Sequence, residues 1–279
     1  MADKDTDEQK ETIAEDLVAI QKYKMAGEIS NCVIQGVIAQ CVAGASVRDL
    51  CSLGDRLVHE ETSKVFKKAK DMKKGIAFPT CVSVNKTVSA IFLLCDLGAH
   101  VDGFIASVAH TVVVGSSPST KITGRKADIL LAAHYASEAF FRLMKSGTEN
   151  QAVTNVVQMI AESFKCKPII GMLSHQLKQF EINGEKSYHS EPKRKRASGE
   201  GMAKEMDSRT TVFKKNNEMY VLKENAPNAL FIEVNSKCGT MPFCLRNLED
   251  EKKACVGVPE CVSHQLLEPF PVLYEEPSE

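Results

Sequence analysis

Two clusters of basic residues have the types and spacing that could do chemistry in this 279-residue chain. The first cluster places six lysines within eleven residues: Lys64, Lys67, Lys68, Lys70, Lys73 and Lys74. Ammonium groups at this density attract phosphate backbones, because binding releases condensed counterions. If a helix continues this far, Lys64, Lys67, Lys68 and Lys70 share one side of it. The cluster predicts RNA binding, and the alternative is a solvated lysine face.

The second cluster, Pro192-Lys193-Arg194-Lys195-Arg196, lies in the polar loop 184–201. Four consecutive basic residues after a proline are typical of a nuclear import signal. The alternative is a deletion scar that happens to be basic. We expect the protein in the cytoplasm and the nucleus, with the nucleolus left open as a further location. Near the first cluster only Phe66 and Phe78 are aromatic, so base stacking is not indicated.

The composition is that of an ordinary globular protein, with 43% apolar residues, 25% charged residues and a formal net charge of -1. Bulk charge therefore does not predict nucleic-acid binding; only the clusters do. Ten cysteines form no Cys-x-x-Cys pair, and the spacings Cys238/Cys244 and Cys255/Cys261 are wider than structural zinc prefers. We expect reduced thiols and no cofactor. We also expect no membrane insertion, because the longest apolar run is too short to span a bilayer.

The remaining elements must position these clusters. After a disordered acidic tail over residues 1–11, apolar residues at helical spacing predict a helix to about Val42, stopped by Gly44. Ser46 is a plausible N-cap for the next helix. Strands follow at Ile76–Val84 and Phe92–Val114. The second is folded at Asp102-Gly103, a hairpin-turn signal.

Further elements complete a single predicted domain over residues 12–275, followed by the tail 276–279. One helix carries an apolar face of Leu130, Ala133, Ser137, Phe140 and Met144, and another carries Val153, Val156, Val157, Ile160 and Phe164. Thr210–Phe213 and Met219–Leu222 predict short strands, and Pro227 is placed like the first residue of a helix. Pro259 predicts two helices rather than one between Leu248 and Leu267.

Five segments carry a resemblance to a known family: 75–80, 98–105, 123–128, 171–179 and 241–246. They resemble the proliferation-associated, ErbB receptor-binding branch of the methionine aminopeptidase-like family, the pita-bread peptidases. The similarity runs from about Thr12 to Tyr274. It implies an α/β pita-bread fold without peptidase activity. It also implies partners among RNA, ribosomal particles and regulatory proteins of growth, transcription or translation.

The resemblance also allows the peptidase metal site to be checked. It places Asp96 and His175 at ligand positions, but Ser107 stands where the peptidases have a second Asp, and Asn183 where they have a second His. Asp102 lies at the hairpin tip and cannot substitute. Two ligands do not hold two metal ions. We therefore expect a pseudoenzyme, in which Asp96 and His175 are vestigial and bind no metal.

Gaps relative to the family predict an incomplete central sheet. Segments are missing after Val88, around Lys193 and beyond Tyr274, and the two Glu ligands of the peptidases fall in the last two regions. Such gaps fit an isoform, a retrocopy or a truncated form. Removing strands exposes backbone edges, so we expect a weakly stable, association-prone protein. Two alternatives stay open, a degenerate copy without function and a residual metalloaminopeptidase.

Overall fold

A computed structural model describes residues 16–87, 90–117, 119–145, 147–189 and 201–276. The helices are α1 (Leu17–Ile38), α2 (Val47–Lys64), α3 (Arg125–Leu143), α4 (Asn150–Ser163), α5 (Asn225–Lys237) and α6 (Glu251–Ser263). The strands are β1 (Lys74–Thr87), β2 (Ala90–Val101), β3 (Phe104–Val113), β4 (Leu173–His175), β5 (Ser187–His189), β6 (Met202–Glu205), β7 (Val212–Lys215), β8 (Phe243–Cys244), β9 (Leu267–Pro269) and β10 (Leu273–Glu276). The tails predicted at both ends and the import segment Lys193–Arg196 lie outside the described residues.

The N-terminal half is a layer of two helices on a three-stranded antiparallel sheet of order β1-β2-β3. Alternate residues of β2, from Leu93 to Val101, are buried against α1 and α2. The alternation holds from Leu93 to Asp96, as in a sheet with one covered face, whereas residues 97–101 are all buried because Ile182 and Met241 also cover the other face near the hairpin tip. The predicted hairpin is confirmed, with its tip at Asp102 and Gly103, which have φ angles of 55° and 79°.

The helix boundaries in this half follow local capping. Asp16 accepts hydrogen bonds from the N–H groups of Val18 and Ala19 at the start of α1. The predicted N-cap Ser46 is confirmed, because its hydroxyl accepts from the N–H of Asp49 at 3.3 Å. Helix α1 ends at Ile38, four residues before the predicted Val42. The chain tightens there into i→i+3 bonds, as at the ends of many helices.

The helical hairpin α3–α4 corrects one prediction about packing. Both predicted helices are present, but Ala133, Ser137 and Met144, on the face of α3 predicted to point inwards, are exposed. Only Ala132 of α3 is buried, and α3 packs mainly on α4. The amphipathic pattern is intact in α3, but the described sheets offer this face no surface on which to pack.

The C-terminal half packs α5 and α6 beside a small sheet of order β8-β7-β9. The strand predicted at Met219–Leu222 is wrong, since that segment has no regular structure. Pro227 is the third residue of α5 rather than the first. Helix α6 continues through Pro259, so the predicted break is also wrong. Its Gly257 lies so close to Pro227 that a Cβ would approach within 2.9 Å, and this contact holds the two helices together.

A buried polar cluster joins the two halves. Arg246, in the 3-10 turn Leu245–Asn247, binds the carboxylate of Asp55 on α2 at 2.7 Å and the carbonyl of Thr80 on β1 at 2.5 Å. The N–H of Thr80 donates to the other carboxylate oxygen of Asp55 at 2.7 Å. Because the two side chains are buried as a hydrogen-bonded pair, each charge compensates the other.

No helix in the described ranges has the length and apolar character to span a bilayer.

Candidate functional site

The lysine cluster at residues 64–74 forms a turn, which we call the basic turn. Helix α2 ends at Lys64, where Val65 is extended and Phe66 has a φ of 46°. The helix does not continue this far, so the condition under which Lys64, Lys67, Lys68 and Lys70 would share one side is not met. A positive φ at a phenylalanine is unusual and is not visible in the sequence. Lys67, Lys68, Lys70 and Lys73 follow in irregular turns, and Lys74 opens β1.

Apolar anchors hold the basic turn in place. Val65, Phe66 and Met72 pack on the core of the N-terminal half. The ammonium of Lys74 binds the carbonyl of Val65 and closes the turn. The carbonyl of Lys73 accepts from the N–H of Asp102 at 2.7 Å, which fastens the turn to the tip of the β2–β3 hairpin. The lysines are thus presented from an ordered backbone.

The charges of the basic turn are largely uncompensated. Lys67, Lys68, Lys70 and Lys73 are exposed, and no ion pair to them occurs within the described ranges. Lys64 is the exception, because its hydrogen bond to Glu61, at 2.6 Å, raises its pKa. The nearby carboxylate of Asp102 is neutralised by Lys22 at 2.6 Å. Four ammonium groups therefore stand free for phosphate oxygens.

The positions of the family metal site lie on separate strands. Asp96 lies in mid-strand on β2, opposite Cys81 of β1 and Ala109 of β3. Burial raises the pKa of its carboxyl to about 6. Ser107 lies opposite Gly98 and is exposed. The register places Ser107 diagonally from Asp96 on the same sheet face, where a hydroxyl replaces the second carboxylate.

His175 lies at the end of the two-stranded pair β4–β5 and is exposed, opposite Ser187. Asp102 lies at the hairpin tip, as predicted, and pairs with Lys22 rather than joining Asp96. No group of three or more His, Cys, Asp or Glu side chains that could hold a metal ion occurs in the described part of the chain. Asp96 and His175 alone do not supply the charge that two divalent ions require.

The cysteines are free thiols. Burial raises the pKa of Cys81 to about 12 and those of Cys238 and Cys261 to about 11. Protonated thiols are poor nucleophiles and poor metal ligands.

The sequence did not predict the contact between Arg246 and Asp55, which lie 191 positions apart, because periodicity gives no signal for such a contact.

Comparison with curated proteins gives relatives along nearly the whole chain. It is 37% identical over 310 residues to proliferation-associated protein A of Dictyostelium discoideum, covering 98% of this chain and 80% of the relative. It is 37% identical over 311 residues to ERBB-3 binding protein 1 of Solanum tuberosum, covering 99% of this chain and 79% of the relative. It is 36% identical over 296 residues to the curved DNA-binding protein of Schizosaccharomyces pombe, covering 92% and 77%. These alignments exceed 279 residues, which fits the predicted internal gaps.

Solved structures agree with the predicted α/β pita-bread fold. A thermophilic Arx1 superposes with a TM-score of 0.79 at 29% identity, covering 92% of this chain and 84% of that chain. Methionine aminopeptidase from Thermotoga maritima superposes with a TM-score of 0.52 at 18% identity, covering 83% and 89%, and this likeness shows the fold alone. No protein-family model matches the chain.

Proposed function

Since the chain belongs to the proliferation-associated, ErbB-3-binding protein family, with the pita-bread fold of the methionine aminopeptidases, we propose that it is a binding protein rather than a peptidase. It contacts RNA or ribonucleoprotein particles through the basic turn and regulatory proteins through other surfaces. The observation that carries the proposal is the ordered presentation of four exposed lysines, Lys67, Lys68, Lys70 and Lys73.

Phosphate contacts account for the proposed affinity. If each of the four lysines neutralises one phosphate of a single strand, log K falls with log salt with a slope of about -3. A structured turn loses less conformational entropy on binding than a flexible lysine tail. Because the backbone phosphates carry no sequence information, selectivity among RNA sequences is weak.

The nearby aromatic rings are already used in packing. Phe66 is partly buried on the core, and Phe78 packs edge-on against Phe270, with ring centroids 5.8 Å apart. Neither ring is free to stack on a base, so the proposed contact lies with phosphates. The names of two relatives, an ERBB-3 binding protein and a curved DNA-binding protein, support partners among proteins and nucleic acids.

The absence of catalysis is proposed from the residue types. Ser107 and Asn183 replace two of the peptidases' metal-site residues, and a hydroxyl supplies no bridging carboxylate. Exposed His175 and half-buried Asp96 together cannot position and activate a metal-bound water.

The test compares two fourfold alanine variants. One replaces Lys67, Lys68, Lys70 and Lys73, and leaves Lys74 because its ammonium closes the turn. The matched control replaces four exposed lysines elsewhere: Lys121, Lys145, Lys223 and Lys252. Fluorescence anisotropy follows a labelled single-stranded RNA and a duplex DNA of equal length over a series of KCl concentrations.

We expect the basic-turn variant to bind RNA more weakly and with a shallower salt slope, and the control variant to bind as the wild type does. An unchanged slope in the basic-turn variant would overturn the assignment of this surface. Tighter binding to the duplex than to the single strand would reassign the proposed partner to DNA.

A further inference from the structure

Strand β3 has one paired side and one open side. It pairs with β2 from Phe104 to Val113, and no other strand in the described part of the chain pairs with its outer side. The hydroxyl of Ser30 bridges the N–H of Ala99 and the carbonyl of Ala106, so the backbone groups of Ala106 point towards β2.

Because backbone groups alternate along a strand, Ser107, Ala109 and Thr111 direct theirs outwards. Ser107 and Ala109 are also exposed. Towards the hairpin tip, in contrast, Ile105 is covered by Ile182 and Met241. The accessible part of the edge therefore runs from about residue 106 to residue 112.

The two outer edges of the sheet differ in how they are protected. Strand β1 is interrupted by Pro79, its register with β2 shifts at two places, and Asp55 and Arg246 occupy the N–H and carbonyl of Thr80. Prolines, bulges and side-chain bonds are the usual means of blocking an edge. The outer side of β3 shows none of them within the described part of the chain, because the strand contains no proline, Asp, Glu, Lys or Arg and its register with β2 is continuous.

We propose that the open edge of β3 pairs antiparallel with β3 of a second copy of this chain. Such a contact is isologous, since each strand offers the other the same row of donors and acceptors. The strand is uncharged and the chain has a formal net charge of only -1, so electrostatic repulsion between copies is small. Because the proline, the register shifts and the bonds to Thr80 interrupt the middle of the β1 edge, pairing there is disfavoured and the β3 contact closes at two copies.

The short accessible edge makes this a weak dimer. About seven residues on each side bury less surface than a standard interface, so a dissociation constant in the micromolar range is expected. Ala109 lies six residues from Gly103 at the hairpin tip, roughly 20 Å along the strand. The basic turn sits at that tip and stays accessible in the dimer. The proposal is therefore independent of nucleic-acid binding.

Sedimentation velocity on the full chain over a range of concentrations tests the proposal. We expect a monomer–dimer equilibrium that Ala109→Lys abolishes, because a lysine near the centre of the paired edge would bring the like charges of the two copies close together. The matched control is Ala133→Lys, which puts the same charge on another exposed alanine, on the unpacked face of α3. We expect this variant to dimerise like the wild type.

Hydrogen exchange of the wild type provides a second readout that needs no variant. The amides of Ser107, Ala109 and Thr111 should become protected as the concentration rises. A wild type that stays monomeric at hundred-micromolar concentrations would refute the proposal, as would association lost only in Ala133→Lys. Protection that appears only when another protein is added would assign the edge to a different partner and overturn the dimer.

Discussion

Replacing Arg246 with alanine should destabilise the fold more than its single position suggests. The Asp55 side chain is 6% exposed and that of Arg246 is 13% exposed, so both charges are desolvated and depend on each other. Arg246→Ala leaves the Asp55 carboxylate with only the N–H of Thr80 and deprives the Thr80 carbonyl of its donor. Breaking one partner of a buried pair costs about 3 to 5 kcal/mol.

Urea unfolding followed by circular dichroism measures this cost. The matched control is Arg48→Ala, which removes another ion pair between the two halves, with Glu251. The side chains of Arg48 and Glu251 are 70% and 39% exposed, respectively. Loss of this pair should therefore cost at most about 1 kcal/mol. The reasoning is refuted if both variants unfold at the same urea concentration.

A second comparison separates the unpaired charge from lost packing. The double variant Asp55→Leu with Arg246→Met removes both charges and keeps apolar volume at both positions. Buried ion pairs can often be replaced in this way at little cost. We therefore expect the double variant to be more stable than Arg246→Ala alone. If it is less stable, the bonds to Thr80 rather than the buried charge dominate.

Three further predictions concern the vestigial site and the import segment. Because burial raises the pKa of Asp96 to about 6, ionisation of its carboxyl opposes folding. Above pH 6, Asp96→Asn should therefore raise the free energy of unfolding by at most about 3 kcal/mol. In urea titrations this gain should vanish below about pH 4, where the carboxyl is protonated in both states. Met-containing peptides with added cobalt or manganese should show no turnover, and any release of methionine abolished by His175→Ala would contradict this. Alanine in place of residues 193–196 should keep a tagged protein cytoplasmic, and nuclear accumulation of that variant would exclude this segment as the proposed import signal.

Local signals in the sequence predicted much of the N-terminal half. The pair Asp102-Gly103 indicated the hairpin, because these two residues tolerate positive φ, and both adopt it. Ser46 indicated the start of α2 through its capping hydroxyl. The end of α2 was not predictable in this way, because Phe66 takes a positive φ that only its burial against the core explains.

Non-local features escaped prediction. Pro259 predicts a break by its own chemistry, yet α6 continues through it and packs closely on α5, where Gly257 lies against Pro227. On α3, the apolar pattern predicts a face that packs on another element, but the described part of the chain provides no surface for it, so the face is exposed. The departure from the metal site was visible in the sequence itself, because Ser107 and Asn183 stand where the peptidases have an Asp and a His.

The proposed surfaces both belong to the same half of the molecule. The basic turn rests on the core formed by α1, α2 and the three-stranded sheet, and the open β3 edge is part of that sheet. The C-terminal half reaches this layer through Arg246, which holds α2 and β1 together at Asp55 and Thr80. Arg246 also helps block the β1 edge, which limits pairing to two copies. Loss of Arg246 should therefore weaken the fold, whereas Pro79, the two register shifts and the bond from the N–H of Thr80 to Asp55 still block the middle of the β1 edge and keep the pairing at two copies.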